Sequence, residues 1–424
     1  MVLPTSAHAC GIDFGTSNST VGWLRPQQAT LVPLEDGKPT LPSVVFFNAE
    51  EDSVRFGRAG LQDYLDGHEG RLMRSLKSLL GSSLVDGITE VQGRPIRFRD
   101  LLSQFIATLK ERAEAYSRRS FDHAVFGRPV HFVDDDTVAD QLAEATLGAI
   151  ARAVGFKELS FQYEPIAAAF HYETGLAREE VVLVADIGGG TSDFSIVRLS
   201  PGRLHAVDRW SDVLANDGIH IGGTDFDKQL SLAEVMPLLA HRSPLKSGRE
   251  IPSRIYFNLA TWHTINFAYT RQVWAEQQRL HLDAIEPERL DRLLALIRDR
   301  AGHWLAHQVE QVKIALSNQE TAQLSLERFS PGQQKLLTRC QFDLAALMLV
   351  EKIEAAVARL LLEAGVSASG IDTIFFTGGS SGIPLLRRRI SGLFPQAQVV
   401  EGDLFGSIGA GLAVDAARRY GMGS

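Results

Sequence analysis

The chain has 424 residues, 45% of them apolar and 22% charged, with a net charge of −8. The length calls for two to three globular units, the composition excludes a disordered or fibrous chain, and the lack of a long basic run excludes the electrostatic footprint of a nucleic-acid binder. Cys10 and Cys340 are the only cysteines, so a cytoplasmic, reducing compartment is expected, and neither a membrane span nor an export signal is legible.

In chain order, Ala9 to Phe14 reads as a strand, with a hairpin partner at about Thr20 to Leu24 and a proline-containing turn from Arg25 to Thr40. Val44 to Phe47 is a further strand, Leu72 to Leu80 a helix, and Leu101 to Arg119 carries apolar positions at helical spacing. A strand near His123 to Phe132 precedes a helix from about Thr137 to Val154, and Glu164-Pro165 opens a small-residue helix with proline in its first turn. The pattern then restarts with strands at Val181 to Asp186 and Phe194 to Leu199, a polar turn, and Gly222 to Asp227 heading a helix. Residues 230–330 read as an inserted helical subdomain whose Trp262, Trp274 and Trp304 suit a core or subunit contact better than a ligand cage. Ile353 to Ala364 is an amphipathic helix feeding the strand Ile371 to Thr377, and Ile408 to Tyr420 is the closing helix.

Two segments of this pattern match each other. Gly11-Ile12-Asp13-Phe14-Gly15-Thr16-Ser17-Asn18-Ser19-Thr20 and Asp186-Ile187-Gly188-Gly189-Gly190-Thr191-Ser192-Asp193 each place an aspartate at the end of an apolar strand, then glycine, then threonine. Glycine lets the backbone approach an anion, its N–H groups can point at phosphate oxygens, and an aspartate can hold a hydrated Mg²⁺. A third apolar run ends in Thr377-Gly378-Gly379-Ser380, as a ligand-bearing strand end does. A lone aspartate of this kind caps a turn; the matched pair Asp13 and Asp186, at strand ends where ligands collect, points instead to ligand contact. Thr16, Ser17 and Thr191 are placed to donate to phosphate rather than only to their own turns. A strand follows the first glycines where Walker and dinucleotide loops need a helix, and the Walker lysine is missing. His131, His220 and His263 lack metal-ligand spacing.

These motifs resemble the actin, sugar-kinase and 70-kDa heat-shock-protein ATPase superfamily, and most of all the nucleotide-binding domain of the 70-kDa heat-shock protein family, in particular its short YegD-like members. The first and second phosphate motifs, the connecting Glu164-Pro165 segment, Leu76 to Gly81, Gly222 to Asp227 and Glu310 to Ser317 fall in the family's order from about residue 8 to 415. The resemblance implies a two-lobed α/β actin-like fold of duplicated ribonuclease-H-like domains. Lobe I would be 1–180, with 34–119 peripheral and 402–424 completing it; lobe II would be 181–401, with about 228–345 as a helical subdomain. It also implies ATP or ADP with Mg²⁺, which Asp13, Glu164 and Asp186 would hold mostly through water. Lys77, on its own a surface lysine, would reach the γ-phosphate. Asp13, Lys77, Glu164, Asp186 and Thr191 form the implied catalytic set. Gly15, Thr16, Ser17, Asn18, Gly188, Gly189, Gly190, Gly222, Gly223, Gly378, Gly379, Ser380 and Asp403 would contact the nucleotide, and Lys313 and Ser317 its adenosine.

Two departures stand out. Gly382 occupies the place of the family's adenine-stacking arginine, and Thr224 that of a glutamate near the nucleotide. No peptide-binding domain is expected, since the sequence stops just after the last helix. The expected activity is slow ATP hydrolysis driving a chaperone-like lobe switch, with an unidentified protein partner or co-chaperone and neither nucleic acid nor membrane. The alternatives are a sugar or acid kinase of the same superfamily, and an actin-like interaction protein.

Overall fold

A computed structural model of the protein describes residues 8–25, 30–82, 84–91, 93–206 and 208–421. Residues 26–29 of the expected Arg25 to Thr40 turn lie outside the described residues. The chain forms two compact units: one takes the residues up to Gly222, Ile353–Gly382 and those from Leu386 onward, the other Gly223–Lys352 and Ile383–Leu385. Among the described residues no helix is long and apolar enough to cross a membrane.

The first unit contains one topology twice. In one sheet the strand Ala9–Phe14 runs parallel to His123–Arg128, which runs parallel to Glu158–Tyr163, and its other edge pairs antiparallel with Asn18–Gly22 and then Thr40–Pro42. In the other, Glu180–Ile187 runs parallel to Thr373–Thr377 and this to Gln398–Glu401, while the antiparallel edge is Ser192–Leu199 and then Val213–Ile219. All six residues of Ala9–Phe14 are buried, as expected of a strand covered on both faces. One face packs Ile12, Phe14 and Phe126 against Phe105 and Leu147 of the helices Phe98–Ser117 and Thr137–Ala153. On the other, Ala9 and Val125 meet Ala167 and Leu412.

Ala167 belongs to the helix Glu164–Glu173, whose Ile166 and Phe170 also pack on Val182, Val184 and Phe375 of the second sheet. This helix therefore touches both sheets, and its run of alanines lets the backbone come close. The closing helix Ser407–Tyr420 exploits that: a Cβ on Gly411 would lie 1.7 Å from the Ala167 carbonyl oxygen.

Three expected elements differ. The polar turn expected before Gly222 contains the strand Val213–Ile219, whose pairing with Ser192–Leu199 satisfies its backbone. Leu72 to Leu80 is not a helix but the strand Gly70–Arg74, paired with Val44–Asn48, followed by the 3₁₀ turn Leu76–Leu79. Ser75 between them is left-handed, with φ 56°, which ends any helix at that point. The helix expected at Ile353 begins earlier and spans Arg339–Ala364, because nothing in 339–352 breaks a helix.

The second unit is mainly helical, with Gly223–Leu230, Arg254–Leu259, Arg271–Asp283, Pro287–Arg298 and Gly302–Asn318, and carries the hairpin Thr321–Ser325 with Gln334–Thr338. Trp262 is buried beside His303 and Trp304 stacks edge-on to Phe329, so both serve the packing of this unit.

Candidate active site

Asp13 and Asp186 occupy the same place in the two sheets, each the second-last residue of its strand. Each strand then turns into its hairpin, and the two turns face one another. A Cβ on Gly189 would lie 2.1 Å from Ser17 Oγ, and one on Gly190 2.9 Å from Thr16 Oγ1. Gly222 backs onto the same turn, where a Cβ would come within 2.5 Å of the Gly190 nitrogen. The first turn is held by Ser43, whose hydroxyl donates to the Gly15 carbonyl at 2.6 Å and whose N–H donates to the Ser17 carbonyl at 2.9 Å. In the second, Gly188 N–H donates to the Thr191 carbonyl at 2.9 Å.

The third glycine run closes on the Asp186 strand. Gly378 adopts φ +79°, and any Cβ there would meet Ile187 O at 2.5 Å and Asp186 Oδ1 at 2.6 Å, so the position requires glycine. Ser380 Oγ donates to the Gly188 carbonyl at 2.9 Å. Gly379 faces the Phe405 ring, and the exposed Asp403 accepts the Phe405 N–H at 3.1 Å.

Four carboxylates gather beside these turns. Asp13, Glu164, Asp186 and Asp193 are all buried, and one oxygen from each of Glu164, Asp186 and Asp193 lies within 4.8 Å of the others. Asp193 reaches the group because it sits directly opposite Asp186 across the hairpin, and Val130 N–H donates to its Oδ1 at 2.7 Å. Glu164 starts its helix and takes the buried Lys77 ammonium as an ion-pair partner. Burial would lower the Lys77 pKa, but Glu164 and Asp13 beside it hold it above the usual lysine value. One ammonium does not offset four carboxylates. Burial, reinforced by Glu164, pushes Asp13 and Asp193 each up to about 7 and Asp186 well above the usual aspartate range. Asp13 Oδ1, Asp186 Oδ1 and Asp193 Oδ2 are buried without a hydrogen-bond partner.

Buried carboxylate oxygens in this state call for protons or a cation. The donor set is all oxygen, which suits a hard divalent ion such as Mg²⁺ and no soft one. A cavity of about 280 Å³ adjoins the cluster and is lined by Thr16, Lys77, Gly190, Thr191, Asp134 and His220 among others. Both Asp134 oxygens are engaged by His220, one by its ring at 2.8 Å and one by its N–H at 3.0 Å.

The remaining expected residues lie in the second unit. Lys313 is buried there, its ammonium 2.9 Å from Asp227 and donating to the Gly223 carbonyl at 3.0 Å. Ser317 Oγ donates to the Lys313 carbonyl one turn back, at 3.2 Å. Asp193 carries no assigned role in the sequence reading, although its place eight positions into the second motif was visible there. The available signal was the hairpin itself, which pairs Asp186 with Asp193 on one face.

A family model described as "Hsp70 protein" matches residues 9–99, 87–235 and 294–418. Among curated proteins, the chain is 27% identical over 433 residues to "Chaperone protein HscA" of Serratia proteamaculans (strain 568), covering 96% of this chain and 58% of that protein. It is 26% identical over 431 residues to "Chaperone protein HscA homolog" of Shewanella sp. (strain ANA-3), with the same two shares. The chain thus spans little more than half the length of these relatives.

Proposed function

Since the chain belongs to the Hsp70 protein family, whose fold is the two-lobed actin-like ATPase, we propose that it binds Mg²⁺·ATP between its two facing glycine turns and hydrolyses it slowly. The observation that carries this reading is the meeting of the two turns beside an undercompensated carboxylate cluster. Backbone N–H groups of Gly15 to Asn18 and of Gly189 and Gly190, with the hydroxyls of Thr16, Ser17 and Thr191, hold the phosphates, while the Gly188 N–H closes its own turn. Asp13, Glu164, Asp186 and Asp193 would hold Mg²⁺. The ion supplies charge neutralisation to the phosphates when bound. Lys77 offsets the charge that spreads over the γ-phosphate oxygens, and Glu164 holds its ammonium in place. An ionised Asp13 or Asp193 beside the phosphates can take a proton from an attacking water.

Nucleotide state then biases a lobe equilibrium through the difference in contacts that ATP and ADP make. In a chain similar to named chaperones, the output of that switch is engagement of a protein client or co-chaperone in the cytoplasm. Water, rather than a hydroxylated small molecule, is the favoured acceptor, because the one carboxylate in the adjoining cavity, Asp134, is already committed to His220. Titration calorimetry with Mg²⁺·ATP and release of phosphate test the proposal. The intact protein should bind and turn over ATP, and Asp186→Ala should lose at least tenfold in affinity; undetectable binding by the intact protein would overturn it.

A further inference from the structure

The family match leaves residues 236–293 out, and that segment holds a cavity of its own. About 400 Å³ in volume, it is lined by Arg254 and Ile255 of one helix, Phe267 of the following 3₁₀ run, and Val273, Glu276 and Gln277 of the helix Arg271–Asp283. Such a volume lies near the lower end of small-molecule sites, roughly 300–1,000 Å³, and is far from the phosphate turns in sequence.

Gln277 is the one buried residue of its helix, at 2% exposure. A helix normally buries an apolar stripe; here it turns a carboxamide inward, and the Gln277 Oε1 has no hydrogen-bond partner. A buried acceptor in that state favours any ligand that brings an N–H. Two full charges line the same cavity. Neither the Arg254 guanidinium nor the Glu276 carboxylate has an ion-pair partner among the described residues, and both are exposed. The rest of the lining is apolar, with Ile255 buried and Phe267 left 58% exposed, an aromatic ring available to a ligand's hydrocarbon part.

From this combination we propose that the cavity binds a small zwitterion with an apolar side chain, the chemistry of a free apolar α-amino acid. The Arg254 fork takes the carboxylate, Glu276 and the Gln277 oxygen take the ammonium, and Phe267, Ile255 and Val273 take the side chain. The proposal does not rest on nucleotide binding, since none of its residues is among those assigned to the phosphates, the metal or the adenosine.

The test is titration calorimetry of the full chain, without nucleotide, using L-phenylalanine, 3-phenylpropionate (no ammonium) and L-phenylalaninamide (no carboxylate). Saturable binding of L-phenylalanine is expected, with each analogue at least tenfold weaker. Gln277→Leu should weaken L-phenylalanine at least tenfold while leaving Mg²⁺·ATP binding as in the parent chain. Should Gln277→Leu fail to fold, the exposed Arg254→Ala is read in its place, with the same tenfold loss expected. No saturable binding of L-phenylalanine or L-leucine by the folded protein, or equal binding of either analogue, would overturn the assignment.

Discussion

Asp13 and Asp193 are the residues on which pH acts most directly. Each rises from 3.8 to about 7 on folding, so over that window the folded chain holds more protons than the unfolded one. Stability then falls as pH rises. The metal-free protein is expected to melt at progressively lower temperature from pH 5 to pH 8, and added Mg²⁺ to recover more of the loss at pH 8 than at pH 5, because the ion binds the carboxylates in competition with protons. Thermal midpoints at four pH values with and without Mg²⁺ check this, and a metal-free midpoint that climbs over the range would contradict it. Asp193→Asn separates charge from shape. It keeps an oxygen to accept the Val130 N–H, so the chain should stay folded while Mg²⁺-dependent ATP affinity drops by about 10–100-fold, the usual cost of losing a group that supports a metal site.

Among the elements, the closing helix and the Glu164–Glu173 helix are in close backbone contact. Their backbones meet where Gly411 faces Ala167, so Gly411→Val should cost at least about 1–3 kcal/mol by overpacking. Gly392, which has open space where its Cβ would be, is the matched control, and urea denaturation of Gly411→Val and Gly392→Ala should show a loss in the first alone. The element whose type was misread from sequence illustrates the limit of local patterns. Leu72 to Leu80 has helix-compatible residues, yet strand pairing with Val44–Asn48 satisfies its backbone groups instead, and the left-handed Ser75 turns Lys77 towards Glu164. Long-range pairing outweighs propensity of a few tenths of a kcal/mol per residue.

For the whole molecule, a second buried charge cluster ties distant parts of the first unit together. Glu173, fully enclosed, accepts two bonds from Arg209 at 2.7 Å each, one from Arg418 at 3.3 Å, and the Ser200 N–H at 3.1 Å. Both guanidinium groups lie over the Phe170 ring, at 5.0 and 4.4 Å. Burial, with Arg209 alongside, lowers Arg418 to about 10. Removing the carboxylate leaves the buried Arg418 without its ion-pair partner, while Arg209 keeps Asp212, so Glu173→Ala should destabilise the chain by about 3–5 kcal/mol, measured by chemical denaturation; a change below 1 kcal/mol would show the cluster to be solvated.

The strands that carry Asp13 and Asp186 and the two glycine turns after them were legible in the sequence, because a strand running into Asp-x-Gly-Thr or Asp-x-Gly-Gly-Gly-Thr sets its own backbone course within a few residues, whereas the sheet strands Glu158–Tyr163, Val213–Ile219 and Gln398–Glu401 were not. Residues 13, 186, 164 and 77 could be named from it, the last two only through family likeness. What stayed hidden was how they are paired and how far they are removed from water. Asp193 in the cluster, Lys77 bound to Glu164, the Glu173 triad and the orphaned Gln277 oxygen all arise where segments tens to hundreds of residues apart converge. Local sequence dictates dihedral angles; burial and charge compensation depend on what the rest of the chain packs alongside, and only the tertiary structure decides that.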